Sequence, residues 1–499
     1  MAGCNLNEFP AFLEKLDSLA ELDLSHNSLS GYIPEWFLGS RLQTLSYLNL
    51  SGNSLMGFPR DLSYYNSSQL ESIDLRFNKL RGSLPLPSRQ PPIYLVSNNM
   101  LSGEIPPEIC GTDGNFFSVL DLSKNNFTGE LPQCFGQLNW NLDVLALHSN
   151  NFRGRIPSFC SSGGSYHTPK MIDLSDNQFE GPLPRSLSNC SSITFLNVGN
   201  NKINDSFPSW LGSLPNLGVL ILRSNYFHGG IEEPESGSVF PQLQIIDISF
   251  NYFQGSLPAS YFQYWRYMEE YGHENTNYLS AYMFGPWVVA NDYPIYDFSM
   301  TIINKGVEME YRKILGYFKV LDLSSNNFTG NIPGSISSLH GLHLLNISNN
   351  LLTGSIPPSL GALTRLEALD LSRNDLSGEI PQQLTELKSI SLLNVSYNNL
   401  SGPIPKGNQF DTFPNNSYWG NPRLCGDPLS RKCGSSMLLS PPSQKDEGPD
   451  AQFEVEWKAV AAGYAVTFVM GIVIGHKMIT KHASWFAKTF GLRQLMRRR

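Results

Sequence analysis

The residues of this chain that could do chemistry are scattered rather than clustered. His26 and His148 stand alone, each on an outward strand position, where a contact or solvated side chain is the simpler reading than a base. There is no Gly-x-x-x-x-Gly-Lys loop, no Gly-x-Ser-x-Gly elbow, no His-Glu-x-x-His helix and no grouped His/Cys ligands. An enzyme is therefore not expected, and no cofactor or metal is required. What the side chains offer instead is contact. From Tyr261 to Phe298, 13 of 38 residues are aromatic, among them Trp265, Tyr267, Tyr271, Tyr282, Phe284, Trp287, Tyr293 and Tyr296. Tyr and Trp combine a large rigid surface with a polar handle, which is the chemistry of recognition. Disordered segments are poor in aromatics, so this one should be ordered and packed on its neighbours. Its rings either meet a partner or fasten the segment to the rest of the chain.

The elements that must position these residues come from a repeat. Leu-x-Leu-Ser-x-Asn followed by Gly-x-Ile-Pro recurs about every 24 residues, as expected of a solenoid, and solenoids present surfaces rather than catalytic pockets. The closing asparagines read as Asn27, Asn53, Asn78, Asn98, Asn125, Asn150, Asn177, Asn201, Asn225 and Asn251, then, after a gap of 75, Asn326, Asn350, Asn374 and Asn398. In Leu-x-Leu the leucines point inward and the intervening residues outward, the alternation of a strand. The asparagine turns inward, where its amide bonds the neighbouring coil; a buried amide lacking that neighbour costs about 2 kcal/mol or more. Gly-x-Ile-Pro supplies a tight bend and then an extended, donor-poor flank. The expected fold is an α/β repeat solenoid, a leucine-rich-repeat superhelix with parallel strands on its concave face, plus one transmembrane helix.

The domain plan follows: ten repeats over 1–260, with an incomplete first cap, an aromatic-rich island over 261–311, and four repeats over 312–408. A cysteine cap over 409–434, an acidic linker over 435–458, a membrane span over 459–475 and a basic tail over 476–499 complete it. The span carries 17 uncharged residues, about 25 Å of helix. Acidic residues precede it and only basic ones follow, which places the repeats outside and the tail in the cytosol. Gly463, Thr467, Gly471 and Gly475 lie four apart on one face of that helix, a spacing that admits a partner helix. Just before the island, Phe195, Asn197, Val219, Ile221, Arg223 and Phe250 take outward positions, several of them apolar where water is expected. They are candidates for ligand contact, with Trp265, Tyr282 and Trp287; packing beneath the island is the competing reading.

Gly and Pro total 42 plus 33, or 75 of 499 residues, against 16% charged, which suits a turn-rich coil; a net charge of −8 argues against nucleic acid. Cys425 and Cys433 are expected to pair in the cap, and Cys110 with Cys134 and Cys160 with Cys190 are candidate bridges one repeat apart. Asn-x-Ser/Thr sequons at Asn66, Asn126, Asn189, Asn204, Asn327, Asn346, Asn394, Asn399 and Asn415 suit an ectodomain, although Asn346 and Asn394 also belong to strands. Met1 to Pro10 opens inside a repeat, so the chain reads as an N-terminally truncated form.

Together these residues resemble the plant leucine-rich-repeat receptor-like proteins. The resemblance rests on the Leu-Ser-Gly-x-Ile-Pro repeats, an island before the last four of them, the Leu424-Cys425-Gly-x-Pro-Leu429 cap, the GxxxG span and the short basic tail. It implies a plasma-membrane receptor in defence or development, with an extracellular peptide, protein or glycan ligand and no kinase domain of its own. It implies an adaptor receptor-like kinase bound through the span, and a co-receptor kinase bound near the island and last repeats. Tyr296, eight residues, then Lys305-Gly306 matches the family's island motif, making these three candidates for co-receptor contact. A ligand-sequestering or enzyme-inhibiting repeat protein is the alternative.

Overall fold

In every repeat the three residues centred on the first inward position of the Leu-x-Leu motif form one strand. Fourteen such strands, from Glu21–Asp23 to Leu392–Asn394, make a single parallel sheet in chain order. This computed structural model describes residues 1–434 apart from 17, 41–43, 60–61, 63–68, 88, 111–116, 138–141, 161–167, 235–238, 270–276 and 284–294. The linker, the span with Gly463, Thr467, Gly471 and Gly475, and the tail lie outside the described residues, as do Asn66, Tyr271, Phe284, Trp287 and Tyr293. Among the described residues no helix is long and apolar enough to cross a membrane, and no His, Cys, Asp and Glu group is arranged to hold a metal ion.

The asparagines form a continuous ladder. Asn53 accepts from the Leu29 N–H of the coil before it at 3.0 Å and donates to the carbonyls of Leu24 and Leu50, each at 3.0 Å. Each rung so satisfies backbone groups in two coils at once, which stacking alone makes possible. The residue before the rung takes a left-handed φ near 50–57°, as at Lys124, Asn98 and Phe250. That geometry corrects two expectations. The fourth rung is Asn99, not Asn98: Asn99 accepts from Leu80 N–H at 3.0 Å, because Tyr94 and Val96 rather than Leu95 fill the coil interior. Phe250 stands in the turn after the strand, not on the strand. The ladder also runs one rung beyond Asn398. Asn421 accepts from Leu400 N–H and donates to Val395 O, so the cap begins as a fifteenth coil.

Asn346 and Asn394 serve the sheet as hydrogen-bond partners. Asn346 is 8% exposed, donates to Asp322 Oδ2 at 3.0 Å and accepts from the Ser348 hydroxyl at 2.7 Å; Asn394 makes the same bonds to Asp370 and Ser396. Each amide is tied into the sheet by these bonds, so both sequons are expected to stay unmodified when glycopeptides are mapped by mass spectrometry. Asn126, Asn189, Asn204, Asn327, Asn399 and Asn415 are exposed.

The insertion does not interrupt the solenoid. Ile245–Asp247 pairs in register with Val320–Asp322, and Phe253 stacks on Phe328 at 6.3 Å across the 75-residue gap. The first part of the insertion belongs to the coil itself. Helices Ala259–Tyr264 and Arg266–Glu269 bury Tyr261, Phe262, Trp265 and Met268 in the repeat core, and the hydroxyls of Ser335 and Ser338 in the next coil donate to the Ala259 and Phe262 carbonyls. Trp265 is thereby corrected from ligand contact to core residue, 1% exposed. Disulfides join Cys110 to Cys134, Cys160 to Cys190 and Cys425 to Cys433, and Cys4 is free and exposed.

Candidate recognition surface on the sheet and island

The rest of the insertion folds as two antiparallel pairs, Ser280–Tyr282 with Ile295–Asp297 and Met300–Asn304 with Val307–Tyr311. Their undersides are apolar. Ala281, Phe298, Met300, Ile302 and Ile314 pack against outward strand residues from Ile93 through Val119, Val144, Phe195, Val219, Ile221 and Ile245 to Val320, Leu344 and Ala368. The outward apolar positions are thus floor for the island. Phe195 and Val219 are fully buried and Ile221 is 2% exposed, and the Phe195 ring meets Phe298 at 5.7 Å. Phe195 and Val219 are covered by the island, whereas Ile221 borders the cleft described below. Asn197 is buried too, its side chain accepting from Gly199 N–H at 3.0 Å.

What remains open is a small cleft, about 60 Å³, between the hairpin's edge and the row of left-handed turn residues. Lys124, His148, Asp173, Asp176, Asn200 and Arg223 line one wall, and Thr301 and Glu310 the other. Lys124 Nζ lies 2.7 Å from Glu310 Oε1, and Arg223 3.3 Å from Glu308 Oε1. The Lys124 hydrogen bond holds the Glu310 carboxyl below its ordinary range, so this ion pair is formed at neutral pH. The Arg223 guanidinium also lies 5.4 Å from the centre of the half-exposed Phe250 ring. Asn200 donates to Asp176 Oδ1 at 2.7 Å. Burial raises Asp173, opposed chiefly by the neighbouring His148 and the Ser175 hydroxyl that bonds it at 2.6 Å. The cleft presents both signs of charge.

Lys305 and Gly306 form the two-residue turn of the Met300–Asn304/Val307–Tyr311 hairpin, with φ of 54° and 74°. A tight hairpin turn needs both left-handed, and Gly306 adopts this at no steric cost. Lys305 Nζ reaches Glu367 at 3.4 Å, pinning the tip over the thirteenth repeat. Both partners are more than 40% exposed, so Lys305→Ala should alter stability by no more than about 0.5 kcal/mol by thermal denaturation. Tyr296 is half-buried in the other pair. Its hydroxyl faces Asp121, and burial first, then that carboxylate, push its pKa well above the ordinary phenol value. In the two pairs Tyr282, Ile295, Val307 and Met309 are exposed.

Sequence reasoning followed the strand positions and so missed Lys124, Asp176, Asn200, Glu308 and Glu310. The signal for the last two was present: Val307-Glu-Met-Glu-Tyr311 alternates as a strand does.

Comparisons with known proteins agree with this architecture. Leucine rich repeat family profiles match residues 317–376 and, separately, 18–40, 117–138, 169–190 and 192–214. Receptor-like protein 35 of Arabidopsis thaliana is 42% identical over 503 residues, covering 100% of this chain and 49% of that protein. Receptor-like protein 54 of the same plant is 41% identical, covering 99% and 61%. The chain therefore spans about half to three-fifths of the curated relatives it matches. Among solved structures, the Arabidopsis receptor kinase HAESA in complex with the peptide hormone IDA and the co-receptor SERK1 superposes with a TM-score of 0.62 at 30% identity, covering 87% of this chain and 67% of that one. PEPR1 with AtPEP1 gives 0.62 at 28%, covering 84% and 54%.

Proposed function

Because the chain belongs to the leucine-rich-repeat receptor-like proteins of plants, we propose that it is a cell-surface receptor that binds an extracellular peptide and signals through kinases in trans, in defence. The observation that carries the reading is the charged cleft between turn row and hairpin, a polar opening lined by side chains of both charge signs. A peptide supplies both charge signs and backbone hydrogen bonds, which is what Lys124, Asp176, Asn200, Arg223 and Glu310 are placed to exchange. The HAESA complex, solved with a peptide hormone and a co-receptor kinase, supports both kinds of partner. The exposed hairpin tip, Lys305-Gly306, with Val307 beside it, is the surface we assign to the co-receptor kinase.

Residues 459–475 cross the plasma membrane in this reading, with the repeats outside. The Gly463, Thr467, Gly471 and Gly475 face meets the adaptor kinase helix. Affinity capture from plant membranes tests it: the full chain should retain a receptor-like kinase, and Gly471→Leu with Gly475→Leu should release it. A membrane-inserted protein that captures no kinase would instead favour ligand sequestration.

A further inference from the structure

On the lateral flank, where each coil's second strand begins, one residue per repeat follows the ladder asparagine and points to solvent. Two of these are tyrosines in consecutive coils. Tyr226 is 47% exposed and Tyr252 55%, and their rings stack at 6.1 Å between centroids and 26° from parallel. Solvated aromatic rings on a sheet face, packed only on each other, lose hydration without a buried environment in return. The next residue in the same row is Asn327, an exposed sequon in Asn327-Phe328-Thr329.

The register carries the step from there. Tyr226 and Tyr252 are diagonal neighbours, since Tyr252 pairs across the strands with His228, two residues after Tyr226. Asn327 pairs with Gln254, two residues after Tyr252. Asn327 thus stands to Tyr252 as Tyr252 stands to Tyr226, and side chains at that offset do meet. One face of the Tyr252 ring is covered by Tyr226, and the register puts Asn327 next in the row on the side away from Tyr226. The place a third ring would fill is where the first sugar on that amide would stand.

We propose that Tyr226 and Tyr252 form a sugar-binding platform whose occupant is the N-linked glycan of Asn327, its innermost pyranose lying against the free face of Tyr252. The axial C–H bonds of a pyranose present an apolar face to the ring, while its hydroxyls and acetamido group remain in reach of Gln254 and Thr329, both exposed. The other sequons of this row lack a platform. Asn126 follows Met100 in the row, and Asn399 follows Asp375 and accepts from Arg423 at 2.9 Å. The proposal rests on the extracellular reading above, because only exported chains receive this modification.

Site-by-site release of glycans from the native full chain, expressed in plant cells and treated with an amidase that cleaves the glycan–asparagine bond, tests it. The glycan on Asn327 should leave at least about threefold more slowly than that on Asn126, and Tyr226→Ala with Tyr252→Ala should bring the two rates together. Both tyrosines are surface residues, so the fold survives the change. Equal rates in the native protein, or a difference that persists without the tyrosines, overturns the platform. So does an unmodified Asn327 beside modified Asn126 and Asn204, which leaves the receptor reading intact. A chain bearing no glycan anywhere overturns both.

Discussion

Phe298→Ala is expected to release the island from the sheet while the solenoid stays folded. Phe298 is 1% exposed and lies among Phe195, Met300 and Ile302, where truncation leaves a cavity costing about 3–4 kcal/mol. The contacts left to hold the hairpin are those of Met300 and Ile302 on the sheet and its ion pairs. Lys124–Glu310 and Lys305–Glu367 join side chains 40% or more exposed, each worth under about 1 kcal/mol. The coils beneath do not depend on the island, since Phe253 stacks directly on Phe328 and Asn326 bonds Ile248 O at 3.0 Å. The loss should therefore appear as local opening. Amide exchange in Met300–Asn304 and Val307–Tyr311 should accelerate about a hundredfold, with the Asn-ladder amides unchanged. Phe195→Ala, from the sheet side, should give the same pattern, and the double variant little more than either alone. Exchange rising equally throughout the coil would show that the island is part of the solenoid's own stability. Peptide binding should fail in both variants, because the hairpin is one wall of the cleft.

The contrast between repeat and island explains what was legible in the sequence. Leucine and asparagine positions follow from a period and from the cost of unpaired amides, so the coil count and strand placement could be read directly. Where the period held but the register was ambiguous, as in Tyr94-Leu-Val-Ser-Asn98-Asn99, one residue of slip changed the rung. The apolar residues Phe195, Val219 and Ile221 were visible as anomalies. Whether they faced a ligand or the island depended on contacts between residues about a hundred positions apart, which no local pattern encodes. Trp265 was misread for a related reason. The boundary of the insertion was drawn where the repeat motif ended, yet the chain completes its coil with two short helices before leaving it.

Asp247→Asn is expected to stabilise the protein above neutral pH and to flatten its pH dependence. At three places along the sheet an outward aspartate meets an asparagine of the next strand: Asn49 donates to Asp23 at 3.4 Å, Asn346 to Asp322 at 3.0 Å and Asn394 to Asp370 at 3.1 Å. Only where the island enters do two aspartates stand in register, Asp247 against Asp322. Both are buried, and Asp247 Oδ2 has no hydrogen-bond partner. Burial raises both carboxyls, and the charge of Asp247 adds to this at Asp322, pushing it up to about 7; Arg223, occupied with Glu308, offsets little at Asp247. The folded pair thus keeps protons that the unfolded chain releases above its ordinary carboxylate pKa of 3.8. Its stabilising contribution is present below that value and is lost as pH rises toward 7, at about 1.4 kcal/mol per pH unit for each proton retained. Asparagine at 247 would keep the acceptor for Ser249, which now bonds Asp247 Oδ1 at 2.9 and 2.6 Å, and turn the orphaned oxygen into a donor toward Asp322. Unfolding midpoints in denaturant should then show the variant ahead by about 2 kcal/mol at pH 8 and by much less at pH 4. Because Asp173 is raised too and titrates in the same sense, the measured quantity is the difference between the two proteins. Parallel pH profiles would mean that the pair already finds a partner for its charge, and that the island does not seal it from water.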